Sequence, residues 1–119
     1  MSTGKHPVVR FEIGCSNRSE TLDFYEACFD WKISKSEIMD EIAANGDTGI
    51  PGHITSLVTE LDHHLLFYIQ VDDINDTLKR VEHAGGSIKV PPVTLPSGQR
   101  FAWFNDVAGN TVGIITKEV

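Results

Sequence analysis

Two side chains in this sequence have the chemistry of an acid–base pair, the carboxylic acid of Glu12 and the phenol of Tyr68. Apolar and polar residues alternate around both positions, which predicts that each side chain projects from a β-strand. Arg10 shares a strand face with Glu12, because residues two apart in a strand point the same way. We therefore predict Glu12 and Tyr68 as catalytic residues beside Arg10, although a carboxylate next to an arginine more often forms a structural ion pair.

The segment 64–92 predicts the strand, helix and strand that position Tyr68. Its first part alternates in apolar residues, as does a strand with one face on a core. These residues are Leu65, Phe67, Ile69 and Val71. Asp73 is typical of a helix N-cap, and the glycine pair 85–86 is typical of a helix C-terminus. A second strand begins near Ile88 and is predicted to stop at Pro91.

A fainter copy of this segment lies 56 residues earlier in the chain. In that alignment Asn17 takes the place of Asp73 as the N-cap, and the strand and helix phases agree as well. The agreement predicts an internal duplication, with pseudo-repeats of about 7–60 and 63–118 in a single domain spanning 1–119. The predicted fold class is α+β, with two tandem βαβββ modules.

The duplication assigns approximate bounds to the elements. In the first repeat we predict strands over 8–14, 31–38 and 53–59, a further strand that begins at Ile42, and a helix over 18–29. In the second repeat we predict strands over 87–90, 100–105 and 111–116 after the helix. The segment 60–63 is too short for a flexible linker, so the two repeats are expected to pack as one body.

Alternation also predicts which strand face packs against each helix. The helix-facing set is Val9, Phe11, Ile13 and Cys15, then Leu65, Phe67, Ile69 and Val71. The opposite face carries Val8, Arg10 and Glu12, then His64, Leu66, Tyr68 and Gln70. Such a mixture of charged, aromatic and apolar groups is typical of a small-molecule cavity. The alternative is that these polar groups simply face water.

Length and charge limit the classes of function. The chain has 119 residues, which is enough for one domain with a hydrophobic core. Its net charge of −7 argues against nucleic acid and anionic membranes as partners. No apolar run reaches the length of a membrane span, and the first residues lack the apolar middle of a signal peptide. Cys15 and Cys28 have no metal or redox spacing, so we expect reduced thiols and a cytoplasmic location.

Three stretches carry a resemblance to a known superfamily: FEIGCSNRSETLDFYEACFDW, FYIQVDDINDTLKRVEHAGGSIKVPP and RFAWFNDVAGNTVGI. The turn Asn105-Asp106-x-x-Gly109-Asn110 is similar to an Asp-Pro-x-Gly-Asn turn, with Val107 in place of proline. On these residues the chain resembles the vicinal-oxygen-chelate superfamily, which includes glyoxalase I, bleomycin-resistance proteins and extradiol dioxygenases. The resemblance implies a curved mixed sheet around a cavity, with the helices on the outer side.

The resemblance also implies where a divalent metal ion would be bound. Its ligand positions correspond to Arg10, to Leu66, to Gly113 and to either Ser56 or Leu57. None of these is a usual metal ligand, and the charge of Arg10 would repel a cation. We therefore expect no metal cofactor at the position that the superfamily uses.

A displaced metal site remains as an alternative. His64 and Glu12 lie one same-face step from the lost ligand positions, roughly 7 Å along a strand, and His53 begins the neighbouring strand. These three residues are the alternative ligands for a divalent ion. Trp103 corresponds to the catalytic tyrosine of the dioxygenases, and with Phe101 it is expected either to form an apolar wall for a ligand or to belong to the core. The predicted ligand-binding residues are Arg10, His53, His64, Leu66, Gln70, Phe101, Trp103 and Gly113.

Three functions are compatible with these residues. The first is a metal-free small-molecule-binding protein or lyase-like enzyme related to glyoxalases. The second is a glyoxalase or dioxygenase that uses relocated metal ligands. The third is a non-catalytic module that pairs as a homodimer, as the resemblance implies and as exposed strand edges permit. The expected partners are therefore a small molecule and a second copy of the chain, and whether the protein is an enzyme stays open.

Overall fold

The computed structural model describes residues 5–56 and 63–118. Its elements are β1 (Val8–Gly14), α1 (Arg18–Cys28), β2 (Ile33–Ser34), β3 (Met39–Ile42), β4 (Gly52–Thr55), β5 (His64–Gln70), α2 (Ile74–His83), β6 (Ser87–Thr94), β7 (Arg100–Asn105) and β8 (Thr111–Ile115). The order βαβββ therefore occurs twice, and the strands pair in both parallel and antiparallel directions. The predicted α+β class with two βαβββ modules and mixed strand pairing is confirmed.

The chain forms two compact units. The first unit consists of Arg10–Leu66, and the second consists of Met1–Val9 together with Phe67–Val119. The beginning of β5 thus belongs to the first unit, where His64 contacts Glu12. Pro7, just before β1, belongs to the second unit, where the backbone N–H of Gln70 donates to its carbonyl.

In the first unit the strands lie in the order β2-β3-β4-β1. Strand β4 pairs in parallel with β1 and antiparallel to β3. Helix α1 begins at the predicted N-cap, because the side chain of Asn17 accepts a hydrogen bond from the backbone N–H of Glu20. The core of this unit consists of Ile13, Leu22, Ile42 and Ile54.

In the second unit the order is β5-β8-β7-β6, with β5 and β8 parallel. Asp73 caps α2 as predicted, accepting from the backbone N–H of Asp76 at 3.0 Å. Gly85 follows the helix with φ +106°, a left-handed conformation that glycine adopts without the steric cost of a Cβ atom. The core of this unit consists of Val71, Ile74, Leu78, Ala102 and Ile114.

Several predicted bounds are wrong. The strand predicted to begin at Ile42 instead ends at that residue, as β3. Strand β6 does not stop at Pro91 but continues to Thr94, because it is the outer strand of its unit and an edge strand tolerates residues without an N–H donor. The single strand expected over 31–38 is reduced to β2. For the strand predicted over 53–59, β4 ends at Thr55 and Ser56 is not part of it. Positions 57–59 of that prediction lie outside the described residues.

The predicted helix-facing set is also partly wrong. Ile69 and Val71 pack beneath α2, but Leu65 is 75% exposed and Phe67 is 42% exposed. The reason is length. A helix of 10 residues extends roughly 15 Å, whereas a strand of 7 residues extends roughly 23 Å. Because α2 follows directly after β5, it covers only the C-terminal part of that strand.

The turn between β7 and β8 is organised by Asp106. Its carboxylate accepts hydrogen bonds from the backbone N–H groups of Ala108 and Asn110, both at 2.9 Å, and from the side-chain amide of Asn110 at 3.0 Å. Gly109 has φ +95°, which explains a glycine at this position of the turn. Hydrogen bonds from Asn110 and then from the turn backbone hold the pKa of Asp106 below its ordinary value.

This lowered pKa predicts a specific acid sensitivity. A carboxyl group with a lower pKa in the folded state stabilises the fold above its unfolded pKa of about 3.9, and that stabilisation is lost as the pH falls through the folded pKa. We expect Asp106→Asn, which keeps an acceptor oxygen but does not titrate, to lose less stability than the natural protein below about pH 4. Urea midpoints measured across this range test the expectation, with Asp47→Asn in another exposed turn as the control. Parallel pH profiles of the natural protein and Asp106→Asn would contradict it.

Candidate functional site

The first unit brings together four of the predicted site residues in one chain of hydrogen bonds, here called the polar centre: Arg10, His53, Glu12 and His64. The Nε of Arg10 donates to Nδ1 of His53 at 2.8 Å. Nε2 of His53 lies 2.8 Å from Oε1 of Glu12, and Nε2 of His64 lies 2.5 Å from Oε2 of the same carboxylate. Glu12 therefore bridges two imidazoles, and Arg10 orients one of them.

Strand register explains the first of these contacts. Glu12 and His53 are direct neighbours on the parallel strands β1 and β4, so their side chains leave the sheet side by side. His64 opens β5 and reaches the other oxygen of the carboxylate. Residues far apart in the sequence therefore meet, because three separate strands place them in the same unit.

The donors fix the tautomer of His53. The Nε–H of an arginine can only donate, so Nδ1 of His53 must accept. The imidazole proton then lies on Nε2, from which it is donated to Glu12. This assignment follows from the hydrogen-bond geometry. The polar centre has a direction: each donor points towards the carboxylate, which is the common acceptor.

The polar centre is buried except at Arg10. Glu12 is 5% exposed and His53 is 7% exposed, whereas the Arg10 side chain is 24% exposed. Nη2 of Arg10 also forms an ion pair with Glu41 on β3 and lies 3.5 Å from the carbonyl of Gly52. The guanidinium is therefore the most exposed part of the polar centre.

Sequence reasoning did not identify Gly14 as a member of this site. A Cβ atom at Gly14 would lie 2.0 Å from the His64 ring, so only a glycine lets that ring lie against β1. A glycine that ends an alternating strand is the available signal, since a strand glycine often marks a close approach of another group. Glu41 was also missed, because its pairing with Arg10 depends on the register between β3 and β4.

The donor set does not fit a divalent metal ion. A histidine that binds a metal through one ring nitrogen donates the proton of the other to a second-shell acceptor. Nδ1 of His53 instead faces the Nε–H of Arg10, which cannot accept a proton. The proton on Nε2 then blocks the nitrogen that would be shared with Glu12. Within residues 5–56 and 63–118, no cluster of three or more His, Cys, Asp or Glu side chains has the geometry of a metal site.

The register also corrects one inferred ligand position. Glu12 pairs with His53 just as Tyr68, 56 residues later, pairs with Gly113. The first-repeat counterpart of Gly113 is therefore His53, and its assignment to Ser56 or Leu57 is wrong; Leu57 itself lies outside the described residues. The four ligand positions that the resemblance implies are then Arg10, His53, Leu66 and Gly113, of which His53 alone is a usual metal ligand.

The second unit contains a separate aromatic group. The ring of Tyr68 lies over Gly113, where a Cβ atom would be 2.4 Å from the ring carbon Cδ1. The indole Nε1–H of Trp103 donates to the Tyr68 hydroxyl at 2.9 Å, and the Phe101 ring meets Tyr68 edge-on with centroids 6.2 Å apart. Tyr68 and Trp103 are both buried in their unit.

Among residues 5–56 and 63–118, neither of the remaining predicted residues, Leu66 and Gln70, has a side-chain hydrogen bond to either group. Leu66 is buried in the first unit. Gln70 is half-buried in the second, and its backbone bonds to Pro7. The opposition of Glu12 and Tyr68 across a shared cavity stays a prediction of the sequence.

The site and fold can be compared with known proteins. Residues 8–114 match the Glyoxalase/Bleomycin resistance protein/Dioxygenase superfamily. A "Glyoxylase-like domain-containing protein" of Didymella fabae is 30% identical over 115 residues, which cover 89% of this chain and 90% of that protein. No helix in the described part of the chain has the length and apolar character needed to span a membrane.

Solved structures with the same fold are more distant in sequence. Methylmalonyl-CoA epimerase from Mycobacterium tuberculosis superposes with a TM-score of 0.70 at 11% identity, covering 100% of this chain and 93% of the epimerase. A variant of the Streptomyces coelicolor methylmalonyl-CoA epimerase, in complex with 2-nitronate-propionyl-CoA, gives a TM-score of 0.68 at 13% identity, covering 98% and 100%. A hypothetical protein from Bacillus halodurans gives 0.72 at 15% identity, covering 96% of each chain. At these identities the likeness concerns the fold alone.

Proposed function

This chain belongs to the Glyoxalase/Bleomycin resistance protein/Dioxygenase superfamily, and we propose that it is a small-molecule-binding member that works without the usual divalent ion. The observation that carries the proposal is the hydrogen bond from Arg10 to His53. It places a cation at one superfamily ligand position and turns the imidazole at another into a donor towards Glu12. In the polar centre the side chains therefore bind one another by hydrogen bonds instead of binding an ion.

The polar centre supports binding through its two ends. Arg10 presents a partly exposed guanidinium, whose planar donors suit a carboxylate, carbonyl or hydroxyl oxygen of a ligand. Behind it, Glu12 and His53 hold the guanidinium in place through a buried network, and a preorganised donor binds at a lower entropic cost. The ligand class that follows is a small polar compound with an oxygen acceptor.

A lyase-like activity is the second candidate, and the 2.5 Å contact between Glu12 and His64 favours it. A carboxylate that accepts from one imidazole nitrogen fixes the tautomer and leaves the other nitrogen as the basic one. In this arrangement Nδ1 of His64 is the atom that would take a proton from a substrate, and Glu12 would stabilise the resulting imidazolium. Tyr68 remains the proposed second acid–base residue on sequence grounds.

Elemental analysis of protein purified without a His-tag tests whether the protein binds a divalent metal ion. We expect zinc, nickel, manganese and iron each well below one equivalent. Arg10→Ala removes the donor that fixes the His53 tautomer, so this variant should take up more zinc than the natural protein. Arg18→Ala is the matched control, since it removes a cation of the same unit outside the polar centre. A stoichiometric metal in the natural protein would establish the relocated-ligand alternative instead.

The binding role is tested by a thermal-shift screen with small carbonyl compounds and catechols. A compound that binds the folded protein raises the melting temperature by mass action. We expect such a shift to be lost in Arg10→Gln and kept in Arg18→Gln. If the compound raised the melting temperature equally in both variants, Arg10 would not be part of the binding site. Catalysis is then sought by following the best-binding compound for conversion by the natural protein and by His64→Gln.

The oligomeric state completes the proposal. A homodimer is proposed on the superfamily resemblance, and sedimentation of the purified chain measures it directly. If the chain is a monomer and still binds a compound through Arg10, the binding function stands. The third interpretation, a module whose role is self-association, would then be wrong. Cytoplasmic location likewise stays a prediction.

A further inference from the structure

The second unit contains a cleft of about 320 Å³ between α2 and the sheet, separate from the residues of the polar centre. It is lined by His6, Ile69, Val71, Thr77, Arg80, Val81, Ala84, Phe104 and Ile114. Small-molecule sites in proteins occupy roughly 300–1,000 Å³ and combine mostly apolar walls with a few polar groups. The cleft is at the small end of that range, and its lining has this composition.

The apolar part of the lining is continuous with the core. Val71 and Ile114 belong to the core of the second unit, and Ile69 and Phe104 pack against it while staying partly accessible. The helix contributes Val81 across from them. A hydrocarbon chain or ring placed here would exchange water for apolar contacts on two sides, which favours binding in proportion to the apolar area covered.

The polar part of the lining is cationic. Arg80 lies in the last turn of α2, and within residues 5–56 and 63–118 its guanidinium has no hydrogen-bond or ion-pair partner. None of the described lining residues is acidic, although the whole chain carries a net charge of −7. An unpartnered arginine beside an apolar cleft in an acidic protein is complementary to an anion with an apolar body.

The remaining polar lining residues stand at the same cleft. His6 has φ +61°, a left-handed conformation that few residues other than glycine adopt, although histidine is among those that do so more often. The next residue, Pro7, is held by the hydrogen bond to Gln70, so His6 is anchored beside β5. Thr77 adds a half-buried hydroxyl from the helix.

We propose that this cleft binds a small amphipathic monocarboxylate, an aliphatic or aryl acid, with its apolar body against Phe104 and Val81 and its carboxylate on Arg80. The site is independent of the proposed function of the polar centre, because the two share no residue. The carboxylate would lie near the protein surface, where Arg80 is exposed. The affinity is therefore expected to be modest and to weaken as salt is added.

Octanoate is a suitable probe, and binding is followed by NMR titration of the ¹⁵N-labelled full-length chain. We expect saturable shifts at the amides of the lining residues. Arg80→Gln should weaken octanoate about fivefold, as loss of a partly exposed ion pair predicts. Lys79→Gln, which removes the neighbouring exposed cation outside the lining, should leave binding unchanged. Ala84→Phe, at an exposed helix end, should fill the cleft and abolish binding without unfolding the protein.

Three outcomes would overturn the proposal. If octanol or octylamine bound as tightly as octanoate, the cleft would not select for a negatively charged group. Shifts confined to the polar centre would place the anion at Arg10 instead. Failure of octanoate to give saturable shifts at the lining would also reject it. In that last case a self-association in sedimentation that Val81→Glu disrupts would identify a second copy of the chain as the occupant.

Discussion

Replacing Glu12 with alanine is expected to lower the free energy of unfolding by about 3–5 kcal/mol. The carboxylate is almost fully buried and is a hydrogen-bond partner of two imidazoles. Alanine removes both bonds at once, leaves His53 and His64 without their common acceptor, and opens space that the rigid strands cannot close. The urea midpoint, followed by circular dichroism, measures the loss.

Two further variants separate the polar centre from ordinary charge effects. Glu12→Gln keeps one acceptor oxygen and nearly the same volume, so its cost should be smaller, about 1–3 kcal/mol. Glu41→Ala removes the exposed carboxylate paired with Arg10 and should cost no more than about 1 kcal/mol. If Glu12→Ala were no more destabilising than Glu41→Ala, the bridging carboxylate would not be a structural centre of the first unit.

Replacing Gly113 with alanine is expected to destabilise the protein by about 1–3 kcal/mol, although alanine suits most strands better than glycine. The added methyl group would lie 2.4 Å from the Tyr68 ring. That ring cannot move away freely, since it is buried and held by the Trp103 indole at its hydroxyl. Thermal and urea unfolding of Gly113→Ala measure the cost of this overlap.

A double-mutant cycle identifies the cause. Tyr68→Leu is destabilising by itself, because it removes the buried ring together with the hydroxyl that accepts a hydrogen bond from Trp103. In the Tyr68→Leu background, however, Gly113→Ala should lower the free energy of unfolding much less than it does in the natural protein. The double variant is then more stable than the sum of the two single losses predicts. Strict additivity would show that Gly113 is required for another reason. The same overlap makes any larger residue at Gly113 incompatible with the position of the Tyr68 ring.

The amino-acid sequence was sufficient for the elements and their order. Local signals carry that information: the alternation in β5, the caps at Asn17 and Asp73, and the left-handed glycine after α2 all depend on residues within a few positions of one another. The 56-residue offset then related the two βαβββ modules. The Asp106 turn was recognisable for the same reason, because its hydrogen bonds span only four residues.

The tertiary structure decided which polar groups meet and in which direction they donate. Glu12, His53 and His64 were all candidates from the sequence, but their common contact depends on the pairing of β1 with β4 and on the position of His64 against Gly14. A shift of one residue in the register would have moved His53 to the other face of the sheet. Neither that register nor the bond from Arg10 to His53 is encoded locally.

The distinction has one physical origin. Caps, turns and strand alternation follow from interactions between residues close in the chain, so the sequence by itself determined them for this protein. The direction of the hydrogen bonds in the polar centre arises from strands that pair across about 40 residues of chain. That pairing depends on packing of the whole unit, and only the tertiary structure decided that Arg10 donates to His53 and that His53 in turn donates to Glu12.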